Sequence, residues 1–228
     1  MDILKQLNQQ LIVSCQALDD EPLHSSFIMG RMAIAAKEGG AKGIRANSVV
    51  DINEIKANVD LPVIGIIKRN YKNSKVYITP TAKEVDELLT TEVEIIALDA
   101  TKQDRPNCEQ LTDLLARIHE AHRLAMADIS TLEEAIDAQA KGFDFISTTL
   151  AGYTPYTTKI DQPDFNLLKA ISGSVDVPTI MEGHINEPEQ VTKALNYGAF
   201  ATVVGSIITR PQLITKNYVE AAKKGERL

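Results

Sequence analysis

The residues with the most chemical capacity in this sequence stand where apolar runs stop. The segment Pro62-Val63-Ile64-Gly65-Ile66-Ile67-Lys68-Arg69 has the character of a buried strand and ends on cations. A lysine at the C-terminal end of a strand, in a parallel α/β barrel, occupies the layer where such barrels keep their catalytic groups. Burial and neighbouring positive charge would lower its pKa and make the amine a general base or a Schiff-base nucleophile. Both readings of Lys68 stand beside a plainer one, in which the side chain reaches out to solvent. Gly65 and the flanking isoleucines favour the buried approach.

The other apolar runs also end on polar groups. These are Ser14, Gln16 and Asp20; Arg45 and Asn47; Asp99; Asp128; Thr148 and Thr149, shortly before Gly152 and Tyr153; Glu182, Gly183 and His184; and Gly205 and Ser206, with Arg210 just beyond. Glu182 could do chemistry or simply pair with an arginine. Asp128 and Asp99 sit inside apolar runs, and a buried carboxylate needs partners, so structural roles stand beside catalytic ones. His24, His119 and His122 fall near turns or on helices and read as surface residues. The carboxylates and His184 are scattered among cations, without H-x-H or paired-Asp spacing, so no metal set is expected.

Glycines close the last two runs, in Glu182-Gly183-His184 and Gly205-Ser206-Ile207. Barrels bind phosphate at the ends of their seventh and eighth strands, through backbone N–H groups and a helix N-terminus. Gly183, Gly205 and Ser206, with charge from Arg210, therefore point to a small phosphorylated substrate.

These residues need a frame. Short runs rich in Val and Ile are expected as strands at 11–17, 43–46, 63–69, 95–100, 125–129, 145–149, 179–183 and 201–205. Their nearly continuous apolar character suits parallel strands covered on both faces. Amphipathic helical patterns lie between them, for example at 81–92, 131–141 and 190–197, with glycines such as Gly142 and Gly198 where a helix must stop. Eight such strand–helix repeats predict an α/β (β/α)8 TIM barrel made from the whole chain, 1–228, as one domain. A short helix within 1–10 is expected to plug its bottom. A doubly wound open sheet is the alternative, weakened because no G-x-G-x-x-G follows the first strand.

The composition narrows the functional classes. Of 228 residues 44% are hydrophobic and 24% charged, and the net charge is −7. No basic block offers a surface for nucleic acid or anionic membrane. No apolar stretch nears the roughly 18 residues of a spanning helix, and the first residues lack a signal-peptide pattern. Cys15 and Cys108 match no metal spacing and read as free thiols. A soluble cytoplasmic protein is expected, which must bind an anionic metabolite through a few aimed donors.

Several segments together resemble one family. They are Leu11-Ile12-Val13-Ser14-Cys15-Gln16-Ala17, Gly43-Ile44-Arg45-Ala46-Asn47, Leu61 to Arg69, Ala97-Leu98-Asp99-Ala100-Thr101, Met126-Ala127-Asp128-Ile129, Ser147 to Thr154, and Val203 to Pro211. From about Leu11 to Ala221 the chain resembles the bacterial N-acylmannosamine-6-phosphate 2-epimerases of sialic acid and amino-sugar catabolism. One departure is visible: Met181 stands where the family often has alanine before the Glu-Gly pair.

The resemblance implies a ribulose-phosphate-binding-barrel-like fold and a cofactor-independent isomerase. It would interconvert N-acetylmannosamine 6-phosphate and N-acetylglucosamine 6-phosphate by C2 deprotonation and reprotonation. Lys68 and Glu182 are implied as the acid/base pair. Gln16, Arg45, Asp128 and Arg210, with Thr149 and Tyr153, would bind substrate or orient that pair. Arg45 and Arg69 are expected to depress the pKa of Lys68. No cofactor or metal is needed, and a homodimer is implied. Two rivals remain: a class I aldolase or lyase using Lys68 as a Schiff base, and a non-catalytic phosphosugar-binding protein.

Overall fold

The computed structural model describes residues 2–225; position 1 of the expected N-terminal helix, and positions 1 and 226–228 of the expected domain, lie outside them. Eight strands run in chain order: β1 (Leu11–Cys15), β2 (Gly43–Asn47), β3 (Val63–Ile66), β4 (Ile95–Asp99), β5 (Leu124–Asp128), β6 (Phe145–Ser147), β7 (Thr179–Glu182) and β8 (Ala201–Val204). Each pairs in parallel with the next, and β8 pairs with β1, which closes the barrel. The (β/α)8 barrel is thus observed, and the open-sheet alternative is excluded.

The chain starts with α1 (Ile3–Leu7) below the barrel. The strands are followed by α2 (Ser26–Glu38), α3 (Val49–Asn58), α4 (Ala82–Leu89), α5 (Leu111–Glu120), α6 (Leu132–Lys141), α7 (Phe165–Ser172), α8 (Pro188–Asn196), and the pair α9 (Ser206–Thr209) and α10 (Pro211–Gly225). Local sequence explains several boundaries. Thr81 with Glu84, and Thr131 with Glu134, form capping boxes that satisfy the free N–H groups of α4 and α6. Gly142 ends α6 in the left-handed conformation that glycine adopts without a Cβ clash. Pro62 and Pro178 precede β3 and β7, where a missing N–H costs nothing, and their carbonyls accept from Ile44 and Ile146.

Strand alternation divides the core into two layers. Ile12, Ile64, Ile95, Met126, Phe145, Ile180 and Ala201 fill the barrel interior, and Leu7 of α1 joins them as the expected plug. The opposite faces, with Ile44, Val63, Ile96, Ala125 and Ile146, pack under the helices. Cys15 is buried and Cys108, in a 3-10 turn, is exposed; both are free thiols. Among the described residues no helix is long and apolar enough to cross a membrane.

Several strands stop short of their expected ends. The main correction concerns 63–69. β3 ends at Ile66, and residues 67–69 pair antiparallel with a returning segment: Lys68 bridges Ile78, Arg69 N–H donates to the Tyr77 carbonyl at 2.9 Å, and Thr79 N–H donates to the Ile67 carbonyl at 2.8 Å. On its other side this returning limb accepts from Asp99 N–H through the Ile78 carbonyl at 3.1 Å. The limb is wedged between the tops of β3 and β4, and the hairpin presents Lys68 to the barrel mouth.

Candidate active site

A cavity of about 880 Å³ opens at the C-terminal ends of the strands. Its wall includes Gln16, Arg45, Lys68, Thr149, Tyr153, Glu182, Gly183, Gly205, Ser206 and Arg210, all residues singled out from the sequence. Asp128 is not on this wall. It ends β5 fully buried, behind Arg45.

Arg45 organises the floor. Its inward position on β2 sends the guanidinium to the barrel axis, where it is 1% exposed. Nη1 donates to Asp128 Oδ1 at 3.0 Å, to Glu182 Oε2 at 2.7 Å and to Thr149 Oγ1 at 3.2 Å, while Nη2 donates to Asp128 Oδ2 at 2.6 Å. Thr149 donates to Asp128 at 2.8 Å and also lies 3.1 Å from Glu182 Oε2. Burial disfavours the guanidinium charge, but the two carboxylates outweigh it and hold Arg45 firmly protonated. Desolvating these groups is costly, and the multiple charge-assisted bonds offset the cost. The geometry gives Arg45, Asp128 and Thr149 a common task, to hold the Glu182 carboxylate in one place.

Glu182 ends β7. Burial, helped by the Asp128 charge, raises its pKa against the opposing pull of Arg45, Thr149 and Lys68. It can therefore carry a proton closer to neutrality than a surface glutamate. Lys68 emerges from beyond β3, its backbone N–H held by Asn47 Oδ1 at 2.8 Å. Burial first, then the Arg45 and Arg210 cations, bring its amine down to about 8. Arg69, expected to share in this, points the other way and pairs with Glu84 and Glu87 of α4; Arg210 supplies the second cation instead.

The β7–β8 side is built differently. Gly183 and His184 both take left-handed backbone angles, φ +106° and +57°. A Cβ on Gly205 would meet Ser14 Cβ at 3.2 Å, so the close approach of backbone there depends on glycine. Ser206 opens α9, and its Oγ accepts from Arg210 Nη1 at 3.0 Å. Arg210 also pairs with Glu21, Nε to Oε1 at 2.6 Å. At the rim, Tyr153 stacks on His184 with ring centroids 5.2 Å apart. Gln16 donates to Ser14 Oγ at 2.8 Å.

Two residues escape the sequence reading. Glu21 is the ion-pair partner of Arg210, and nothing in its exposed loop marks it. Tyr77 lines the cavity from the returning limb of the 67–79 hairpin, a polar stretch with no hydrophobic period to announce its fold.

Comparison with known proteins agrees with this architecture. The family model described as "Putative N-acetylmannosamine-6-phosphate epimerase" matches residues 29–224. A curated relative from Clostridium perfringens (strain 13 / Type A), named as a 2-epimerase of the same compound, is 61% identical over 223 residues, covering 98% of this chain and 100% of the relative. One of the same name from Clostridioides difficile (strain 630) is 58% identical over 219 residues, covering 96% and 98%. The solved N-acetylmannosamine-6-phosphate 2-epimerase from Clostridium perfringens superposes with a TM-score of 0.96 at 61% identity, over 97% of this chain and 96% of that one. A thiamine phosphate pyrophosphorylase from Pyrococcus furiosus, at 18% identity and TM-score 0.60 over 90% and 88%, shares the fold alone. With the family match and these relatives spanning nearly its whole length, the chain belongs to the N-acetylmannosamine-6-phosphate epimerase family.

Proposed function

We propose that this protein is a cofactor-independent isomerase that interconverts N-acetylmannosamine 6-phosphate and N-acetylglucosamine 6-phosphate. The observation that carries the reading is the opposition of Lys68 and Glu182. They rise from the ends of β3 and β7, four strands apart in a ring of eight, with the cavity between them. Inversion at a carbon through a planar intermediate needs proton donors and acceptors on opposite faces, which this arrangement offers.

In the open-chain sugar the C1 aldehyde acidifies the C2 proton. Lys68 as free amine takes that proton; the C–H electron pair moves into a C1–C2 double bond and the carbonyl pair onto O1. The return of that pair reforms the aldehyde, and protonated Glu182 supplies a proton to the other face of C2. The roles reverse in the opposite direction. An amine near 8 and a carboxyl raised by burial have moved toward each other, as a pair that trades protons near neutrality requires.

Arg45, Asp128 and Thr149 act in this account as positioning residues for Glu182. Gln16 and Tyr153 are assigned to the sugar, and Gly183, Gly205, Ser206 and Arg210 to the phosphate. For Arg210 this requires the anion to share or replace Glu21. The proposal extends to the unit of function: one barrel domain per chain, working as a cytoplasmic homodimer. Two free cysteines support the compartment, and α10, with Tyr218 76% exposed beside half-covered Leu213 and Val219, supports a second copy against that face.

The test is incubation of the purified protein with each hexosamine phosphate alone and chromatographic identification of the products. Conversion from both sides to one equilibrium ratio supports the reading. No conversion, with binding retained, would return the phosphosugar-binding alternative. Inactivation by borohydride only in the presence of substrate would return the aldolase.

A further inference from the structure

The floor network leaves one chemical requirement unmet. Proton abstraction beside a carbonyl places negative charge on O1, and that oxygen needs a donor. Arg45 is the cation nearest the reacting groups, yet both of its Nη atoms are engaged by Asp128, Glu182 and Thr149, and its Nε is buried without a partner. Its charge is felt in the cavity, but Nη1 is committed to Asp128, Glu182 and Thr149, Nη2 is drawn to Asp128 behind the floor, and Nε is buried away from the cavity.

Tyr77 is placed to fill that gap. It lines the cavity from the limb wedged between β3 and β4, opposite the glycine-rich β7–β8 side. Its backbone carbonyl is bonded to Arg69 N–H, next to Lys68, so hairpin pairing ties the phenol and the amine to one frame. Thr79, two residues on, is fully buried at φ +44°, which is unusual for a β-branched residue and marks a limb held by its surroundings. Tyr77 is half-buried, packs on the barrel-interior cluster, and its hydroxyl has no hydrogen-bond partner among the described residues. Burial, with the nearby Asp128 and Asp99 carboxylates, pushes the phenol up to about 12, so it stays a neutral O–H donor throughout the working pH range.

We infer that Tyr77 is a catalytic residue of the epimerisation, donating its phenolic hydrogen bond to the substrate oxygen that becomes the enolate. This rests on the epimerase reading above. When Lys68 removes the C2 proton, the charge that forms on O1 meets the Tyr77 O–H, and no proton need leave the phenol. A neutral donor suits the position: another cation would compete with Lys68, and another carboxylate would repel the enolate.

The experiment compares wild-type protein with Tyr77→Phe on N-acetylmannosamine 6-phosphate, following both product formation and C2 exchange in D₂O. Wild-type turnover is measured first, and its absence would sink the epimerase reading itself, whatever the variant does. Given an active wild type, Tyr77→Phe should lower kcat by about 10²–10³-fold, the loss typical of an oxyanion donor, with KM within about threefold and C2 exchange falling in parallel. Its thermal midpoint should stay near wild type, because the lost hydroxyl has no protein partner. A second measurement replaces Tyr77 with 3,5-difluorotyrosine, which keeps the ring but ionises nearer neutrality; kcat should then acquire a new alkaline limb. A Tyr77→Phe kcat within threefold of wild type, a rise confined to KM, or an unmoved alkaline limb would overturn the inference.

Discussion

Lys68 and Glu182 face each other from opposite sides of the barrel mouth, on the chain segments that end β3 and β7. Their environments differ in kind. The glutamate is held by a buried arginine, an aspartate behind it and a threonine. The amine is held from its backbone, by Asn47 and by a hairpin, and feels cations on two sides. One partner is fixed by an ion network; the other is tuned by burial and like charge.

The tuning of Lys68 should be visible in pH profiles. In the proposed mechanism its free amine begins the reaction from the manno side, so kcat/KM in that direction should rise with pH through about 8. Lys68→Arg keeps the charge but cannot deprotonate, and should lose about 10²–10⁴-fold in kcat. A wild-type profile flat from pH 6 to 9 would contradict the assignment.

The same shift has a stability cost. The folded amine titrates near 8 against an ordinary 10.5, so the unfolded chain binds the proton more tightly. Stability is therefore reduced below pH 8 and recovers as pH rises from 8 to 10.5. Lys68→Met should be inactive yet more stable at pH 7, by on the order of 2 kcal/mol, with the gain fading toward pH 10.5. Urea denaturation at pH 7 and pH 10 checks both signs.

Removing the organiser of the floor should be severe. Arg45→Met leaves the buried Asp128 and Glu182 carboxylates without their cation and should cost about 3–5 kcal/mol. Adding Asp128→Asn should recover part of that loss by removing one uncompensated charge. Midpoints and slopes of denaturant unfolding curves for the single and double variants measure the coupling.

Asp99 is a second buried carboxylate, lying beside Asp128 in the β4–β5 register, with Oδ2 unpartnered. Burial, with a smaller push from Asp128, lifts it to about 6. An acid whose folded pKa exceeds its unfolded value of 3.8 favours the fold when protonated. Its contribution is complete below about pH 4 and lost as pH rises to 6. Asp99→Asn should stabilise the protein at pH 7 by about 2 kcal/mol and flatten the pH dependence between 4 and 6. Thr101, which donates to Asp99 Oδ1 by N–H and O–H, can keep both bonds to the amide oxygen.

The anion side should act on binding more than on chemistry. Gly183→Ala forces a Cβ into a left-handed backbone, and Arg210→Gln removes the local charge. Each should raise KM about tenfold with a smaller change in kcat. Inorganic phosphate should lose inhibitory potency in step, measured as a competitive inhibition constant.

Much of this was legible in the sequence because it follows from periodicity and punctuation. Eight apolar runs, helices closed by glycines such as Gly142, and prolines ahead of β3 and β7 specify the barrel. Polar residues at the ends of those runs then identify most of the cavity wall. What was hidden depends on long-range placement. Residues 67–69 look like more strand because they continue the apolar run 62–67 without a turn signal, yet their partner is the limb at 77–79, which no local pattern reveals. Arg69 looks equivalent to its neighbour Lys68, but strand alternation sends it outward to Glu84 and Glu87. Asp128 reads from the sequence as either structural or part of the chemistry; it lies behind the cavity wall, bonded to the Arg45 guanidinium.

The fate of the C2 hydrogen tests the proposed proton transfer most directly. The measurement is proton NMR of N-acetylmannosamine 6-phosphate in D₂O with wild-type protein, beside Lys68→Ala. Abstraction and return through groups on opposite faces predict N-acetylglucosamine 6-phosphate carrying solvent deuterium at C2, and neither product nor exchange with the variant. Product that keeps its original C2 proton, or a Lys68→Ala protein that converts substrate at the wild-type rate, would contradict it.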